Sequence, residues 1–211
     1  MGLMASDKRD GGFDMTEEGV HLAVCYGVID LGQQHNPKFD NWPHKVMIQW
    51  ELPKLRIDVK EGERTVSKPR AISRRFTLSL SEKSHLRPFL ESWRGKKFNF
   101  EELMGFDIGN LIGANCLLQV LHQEYNEKTY ANVHTIMPIP KGADKTLPEN
   151  PTIFYSMEDH GLDFPKSIPE WIQGIIMKSK EYNETGQMND FPEDHGMEEP
   201  PIFGPDESVP F

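Results

Sequence analysis

The chain has 211 residues, a net charge of −10 and a hydrophobic fraction of only 37%. That length suits one folded domain with appendages, and the low hydrophobic fraction indicates a core diluted by polar ends. No segment is apolar enough to span a membrane and no signal peptide opens the chain, so we expect a cytoplasmic protein without a membrane partner. Cys25 and Cys116 lack metal-binding spacing, which predicts two reduced core thiols.

The charge is divided unevenly along the chain. Residues 41–100 hold fourteen Lys and Arg against six Asp and Glu, a local excess of eight positive charges. From Glu181 onward there are nine acidic residues and no Lys or Arg. This pattern predicts a basic body followed by an acidic C-terminal segment, and a basic body suits a polyanionic partner such as nucleic acid.

Alternating apolar residues predict the first two strands, which follow a flexible N-terminal arm over residues 1–18. The first strand spans residues 21–31. The residues expected to share one of its faces are Leu22, Val24, Tyr26 and Val28. The second strand spans residues 45–52 and is expected to end at Pro53. Its core-facing residues are expected to be Val46, Ile48, Trp50 and Leu52.

The highly charged segment 54–70 predicts a long loop or a mobile hairpin, and a third strand is expected over residues 71–81. Its inward residues are expected to be Ile72, Phe76, Leu78 and Leu80. Its outward residues are expected to be Ser73, Arg75, Thr77 and Ser79. Arg74 falls on the inward side of this alternation, which favours an internal partner for its guanidinium.

The hydrophobic period then changes to that of a helix, from about Ser84 to Gly95. Its apolar stripe consists of Leu86, Phe89, Leu90 and Trp93. Asn99 and Glu102 predict a capping box for a second, short helix that ends near Gly105. Two more strands are expected over 115–124 and 129–137, and then irregular chain from Pro138 to residue 167. A C-terminal helix follows, and its expected apolar face consists of Trp171, Ile172, Ile175 and Ile176.

Three strands, a helix and two further strands form the element order of the OB fold, a five-stranded Greek-key barrel. We therefore expect a mainly β protein with an OB-fold domain over residues 19–140, its helix lying between strands 3 and 4. An extension with the C-terminal helix should cover residues 141–182, and a disordered acidic tail residues 183–211. Other small five-stranded barrels give a similar order, and the final helix could close the barrel or form a homodimer.

The sequence contains none of the common catalytic motifs: no P-loop, GxSxG, HExxH or paired CxxC, and no histidine pair at metal-ligand spacing. We therefore expect no catalytic residue, no metal and no cofactor. Three carboxylates, Glu101, Glu102 and Asp107, lie close together, but they fall at the starts of short helices, where the helix dipole accounts for them.

Single-stranded nucleic acid is held by cations that follow the phosphates and by rings that stack on bases. The rings expected outside the core are Phe39, Trp42, Tyr125 and Tyr130. They lie in or beside the two loops that border the oligonucleotide groove of an OB fold. The predicted cationic contacts are Lys45, Arg64, Lys68, Arg70, Arg75, Arg94, Lys96 and Lys97.

The segments LSLSEKSHLRPFLESWRGKKF, GFDIGNLIGANCLL and KTYANV, with SIPEWI beyond them, resemble a family of small phage-encoded proteins. Its members are generally regarded as single-stranded DNA-binding proteins. The similarity covers about residues 20–182. It implies a protein that covers single-stranded DNA in phage DNA replication or recombination, with little sequence preference.

The last residues resemble the tail tip of bacterial single-stranded DNA-binding proteins, an acidic cluster followed by Ile-Pro-Phe. The matching residues are Asp206, Glu207, Val209, Pro210 and Phe211. The resemblance implies that they recruit replication or recombination proteins such as a polymerase, helicase or recombinase. Gly204 and Pro205 interrupt the acidic run, which departs from the bacterial pattern. The tail carboxylates are also expected to compete with DNA for the basic body.

Two other classes of protein stay open. One is a protein-interaction module of a replication complex that lacks DNA affinity. The other is a metal-dependent nuclease or an annealing protein. DNA binding and divalent-metal-dependent cleavage are the measurements that separate these classes.

Overall fold

A computed structural model describes residues 15–184 of the chain. Over this range the protein is mainly β, and its long antiparallel strands curl into a half-barrel. The five long strands are β1 (Gly19–Gln33), β2 (His44–Glu61), β3 (Arg64–Thr77), β4 (Asn115–Tyr125) and β5 (Lys128–Met137). They lie side by side in the order β3-β2-β1-β4-β5, and a short strand β6 (Ile153–Tyr155) pairs in parallel with β1.

Two groups of helices accompany the sheet. Between β3 and β4 lie α1 (Leu86–Arg94), α2 (Phe100–Met104) and a 3-10 helix (Ile108–Leu111). After β5 lie α3 (Met157–His160), α4 (Glu170–Met177) and α5 (Lys180–Glu184). The two predicted helices before β4 and their ends at Gly95 and Gly105 are confirmed. Within residues 15–184, no helix is long and apolar enough to cross a membrane.

The concave side of the half-barrel forms the main core, and α1 packs against it. The predicted inward residues of β2 and the apolar stripe of α1 are all buried there. The Trp50 ring lies 5.9 Å from the ring of Phe89 and 5.8 Å from that of Trp93. The Trp93 indole also donates a hydrogen bond to the Asn115 carbonyl at 3.1 Å. Sequence periodicity therefore predicted this packing correctly.

Both cysteines are buried in this core as free thiols, as expected. Cys25 lies on β1 and Cys116 on the neighbouring β4. Burial raises the pKa of the Cys25 thiol to about 12 and also raises the pKa of the Cys116 thiol. Neither thiol is therefore set up as a nucleophile at neutral pH.

The expected single alternating face of β1 is wrong. The pairing of β1 with β2 shifts register between Cys25 and Gly27, which marks a β-bulge. A bulge inserts one residue into the alternation, so residues on either side of it change faces. Val28 consequently packs in the half-barrel core, whereas Tyr26 packs on the other side of the sheet.

The expected end of β2 at Pro53 is also wrong. The strand continues through Pro53 to Glu61, with an irregular register between Leu52 and Arg56 that accommodates the proline. Segment 54–70 therefore forms a hairpin, one of the two forms expected for it.

Strand β3 begins and ends earlier than expected. It starts at Arg64, within the hairpin, and ends at Thr77. Ile72 and Phe76 point into the core as predicted, but Leu78 lies beyond the strand and is exposed. Leu80 still packs against the core from the following loop.

Arg74 bridges the two edges of the half-barrel, β3 and β5. Its guanidinium Nη1 donates hydrogen bonds to the carbonyls of Val133 at 2.9 Å and His134 at 3.1 Å. It also lies over the rings of Phe76 and Phe89, 5.0 and 5.2 Å from their centroids. The expected internal partner of Arg74 is thus confirmed.

The chain after β5 covers the outer face of β1 and β2. The α4 residues Ile172, Ile175 and Ile176 form a second core with Met47 and outward residues of β1. Trp171, expected on the same face, is instead 48% exposed. The segment expected to be irregular, residues 138–167, contains β6 and α3, and β6 belongs to the same core.

Candidate nucleic-acid interface

The loop between β1 and β2, residues 34–43, carries two exposed rings, and we call it the aromatic loop. Phe39 is 67% exposed and Trp42 is 39% exposed. The loop is closed by an Asn36–Asn41 backbone bridge, and the Trp42 ring rests 5.0 Å from that of His35. Two of the predicted stacking residues therefore have ring surface that is accessible to a base.

The C-terminal helices hold the base of the aromatic loop. The Gln34 side-chain amide donates to the Ile175 carbonyl of α4 at 2.9 Å. The Gln33 backbone amide donates to the Glu181 carboxylate of α5 at 2.8 Å. The position of the loop therefore depends on residues more than 140 positions away in the sequence, which the sequence analysis did not single out.

His44, the first residue of β2, forms a hydrogen-bonded pair with Asp30 next to the aromatic loop. Its Nε2 lies 2.6 Å from Asp30 Oδ1. The hydrogen bond to Asp30 raises the pKa of His44 above its usual 6.5, although burial works against this. Burial would raise the pKa of Asp30, but hydrogen bonds from His44 and from the Gly32 and Met157 amides lower it below 3.8.

This pair predicts a pH dependence of folding stability. Because the folded pKa of His44 is raised, its contribution is fully present below about pH 6.5 and is lost as pH rises through the folded pKa. We expect the melting temperature to fall by a few degrees from about pH 6 to about pH 9, less so in His44→Gln. Thermal unfolding at constant ionic strength measures it, and His35→Gln is the control because His35 pairs with the exposed Asp40. Parallel profiles for wild type and His44→Gln would contradict the assignment.

Lys45 and Arg75 place two positive charges on the outer face of β2 and β3, next to the aromatic loop. Lys45 Nζ donates to Thr77 Oγ1 at 2.9 Å. Burial lowers the pKa of Lys45, and the positive charge of Arg75 lowers it further. Arg75 lies opposite Met47 in the strand register, one cross-strand row from Lys45. An anion beside Lys45 would favour its charged form.

Three more predicted cations lie together on the hairpin of residues 53–70, which we call the arm. There β2 no longer pairs with β1 and pairs with β3 alone among the described strands. Arg64, Lys68 and Arg70 share one face of β3, in continuation of the core residue Ile72. The sequence analysis could not group them, because it assigned this segment to no regular strand.

The cations after α1 are partly engaged within the protein. Arg94 forms an ion pair with Glu102, and its guanidinium lies 4.3 Å from the centre of the Phe98 ring. Lys96 Nζ lies 3.4 Å from the same Glu102 carboxylate, and Lys97 is exposed. The structure thus gives Arg94 a structural role, whereas Lys96 and Lys97 are at the surface.

Tyr125 and Tyr130 lie on the β4–β5 hairpin, separate from the aromatic loop. Tyr125 is exposed beside the turn, and Tyr130 is half-buried opposite Gln123. Because β4 is antiparallel to β1 and extends past Gly19, this turn lies beyond the beginning of β1, whereas the aromatic loop follows its end. The four predicted rings therefore form two separate groups.

Helix α2 carries two exposed apolar residues that were not predicted as site residues. Phe100 and Met104 occupy positions four apart on α2, and they are 77% and 76% exposed. Only Leu103 of this helix packs against the core among its apolar residues. The sequence could have indicated this pair, because residues four apart share one face of the helix that the capping box predicts.

The predicted acidic tail of residues 183–211 lies outside the described residues from residue 185 on, and so do its partner-binding residues Asp206, Glu207, Val209, Pro210 and Phe211. Its first two residues end α5 and are therefore helical rather than disordered. Within residues 15–184, no group of three or more His, Cys, Asp or Glu side chains is placed to hold a metal ion.

The structure defines a mainly β protein with a helix-covered antiparallel half-barrel and cations on β2, β3 and the arm. No family model matches the chain, and a search of curated proteins also found no match.

Proposed function

We propose that this protein binds single-stranded DNA without sequence preference and without catalysis, in phage DNA replication or recombination. The half-barrel is proposed to be an OB fold. The strand order, the helix between β3 and β4 and the bridge from Arg74 on β3 to β5 support this, because an OB fold is a partly open five-stranded barrel.

The observation that carries the DNA-binding proposal is the close pair of cations beside the exposed rings. Lys45 is half-buried, and both burial and the nearby positive charge of Arg75 lower its pKa. A phosphate beside Lys45 would favour its charged form, and Trp42 and Phe39 lie on the adjoining loop, where a base would stack. Each stacked base stabilises such complexes by roughly 1–3 kcal/mol. OB folds bind oligonucleotides with strands 2 and 3 and with the loop between strands 1 and 2.

The C-terminal residues beyond the described range complete the proposal. Their carboxylates compete with DNA for the cations. When DNA displaces them, the residues at the tip bind replication or recombination proteins. This part rests on the charge pattern and on the resemblance of the tip to bacterial single-stranded DNA-binding proteins.

Tryptophan fluorescence during titration with oligo-dT tests the proposal. Two of the four tryptophans, Trp50 and Trp93, are buried in the core, so we expect Trp42 to report binding. Saturable quenching should weaken with rising salt, Trp42→Phe should remove most of the signal, and the matched Trp171→Phe should keep it. Lys45→Ala should reduce the slope of log affinity against log salt by about 0.7, as expected for one lost phosphate contact on a single strand.

Two results would refute this function. Absence of quenching and of a gel shift, with the intact chain and with a chain lacking residues 186–211, would favour a protein-interaction module. Divalent-metal-dependent cleavage of the labelled oligonucleotide would instead establish a nuclease.

A further inference from the structure

The arm has one face on which apolar and positively charged residues alternate. On β3 this face carries Arg64, Val66, Lys68 and Arg70, which we call the arm row. From β2, Val59 lies opposite Val66 and Ile57 lies opposite Lys68. These three apolar residues are half-buried, and Arg64 is exposed.

The opposite face of the arm carries charges of both signs. Arg56 there is held by the Glu149 carboxylate at 2.6 Å and by the Ser67 carbonyl at 2.7 Å. Asp58 and Lys60 share that face, where they lie opposite Ser67 and Thr65. The arm row itself carries three cations, Arg64, Lys68 and Arg70.

In the part of β2 that pairs with β1, the outer face of the strand offers little room for a polyanion. Met47 is buried under the C-terminal extension. The Glu51 side chain is completely buried and accepts hydrogen bonds from the amides of Glu149 and Asn150 at 2.8 and 2.5 Å. The outer face of β2 therefore does not extend the site at Lys45 and Arg75, whereas the arm row lies on the other side of β3, in phase with the core residue Ile72.

We propose that the arm row is a second binding surface for single-stranded nucleic acid, separate from the aromatic loop. The proposal rests on the proposed function and adds a location to it. Successive residues on one face of a strand lie about 7 Å apart, so the row extends over about 20 Å. The cations contact successive phosphates, and Ile57, Val59 and Val66 contact sugars and unstacked bases, which a duplex keeps inside.

A matched pair of double variants of the full chain tests this surface. Arg64→Ala with Lys68→Ala removes two charges from the row. Lys54→Ala with Lys60→Ala removes two exposed charges elsewhere on the arm. The affinity for oligo-dT of increasing length is measured over a range of salt concentrations. We expect the first variant to reduce the salt slope by about 1.4 and to shorten the occluded site, with unchanged Trp42 quenching at saturation.

The possible outcomes separate the two proposals. Equal slopes for the two double variants, with normal binding by the wild type, would overturn the arm as a DNA surface and leave the proposed function intact. No binding by the wild type would overturn the proposed function itself. A smaller sedimenting mass of the DNA-free Arg64→Ala, Lys68→Ala protein, with an unchanged salt slope, would assign the face to a second copy of the chain instead.

Discussion

Replacing Arg74 with alanine is expected to destabilise the protein by about 2–4 kcal/mol, because hydrogen bonds from a charged group and cation–π contacts are both lost. The guanidinium donates to the carbonyls of Val133 and His134 and lies over the rings of Phe76 and Phe89. Alanine would leave the two β5 carbonyls without these donors and a cavity between the rings. Urea unfolding followed by circular dichroism measures the loss as a lower midpoint.

Arg75 provides the matched control, since it follows Arg74 in sequence and points to the other face of β3. Arg75→Ala should change stability by less than about 1 kcal/mol, as is usual for surface pairs, while it weakens DNA binding. Arg74→Lys keeps the charge but not the planar donor geometry, so an intermediate midpoint is expected. An Arg74→Ala midpoint equal to that of the wild type would show that the guanidinium does not stabilise the contact between β3 and β5.

The elements that sequence predicted well are those whose two faces differ in polarity. In β2 the outward residues Gln49 and Glu51 are polar, so the alternation of Val46 to Leu52 marks the inward face although both faces are buried. In α1 the apolar stripe and Gly95, which adopts a left-handed conformation with φ of 66°, define both the face and the end of the helix. One periodicity and one apolar face lead to one interpretation.

The faces of β1 could not be predicted in the same way, because both of its buried faces are apolar. The C-terminal extension covers the face of Tyr26, Ile29 and Leu31, while Val28 fills the half-barrel. A strand with two apolar buried faces shows a nearly continuous apolar run, so its sequence does not indicate which residues point to which face. The bulges that change its faces depend on pairing with β2, so they have no local sequence signal.

The sequence predicted which types of residue could form the candidate site, but not which of these residues lie together in the structure. Strand alternation alone separated Arg74 from Arg75, and the structure confirms that Arg74 is used internally. In the sequence Arg94 looks like any other basic residue, because its ion pair with Glu102 depends on how α2 packs against α1. The bracing of the aromatic loop by Glu181 depends on a contact across 148 residues, which no periodicity encodes.

Deleting residues 186–211 is expected to tighten DNA binding about tenfold at low salt, within the 5–150-fold range that is typical of coupling between two binding events. The deleted segment contains seven carboxylates and no Lys or Arg. Under the proposed competition, these carboxylates occupy the cations that phosphates would otherwise contact. Screening shortens the reach of such interactions, so the gain should shrink as salt rises. Oligo-dT titrations of both chains over a salt series measure this.

Two full-length variants separate charge from the rest of the segment. Amide replacement of the seven carboxylates keeps the length and should reproduce the tighter binding. Removal of residues 209–211 keeps every carboxylate and should leave DNA affinity unchanged, while it abolishes capture of the replication or recombination partner. If the deletion of residues 186–211 leaves binding unchanged or weakens it, the segment does not compete with DNA. If the amide variant binds like the wild type but the deletion binds more tightly, the effect comes from chain length rather than charge.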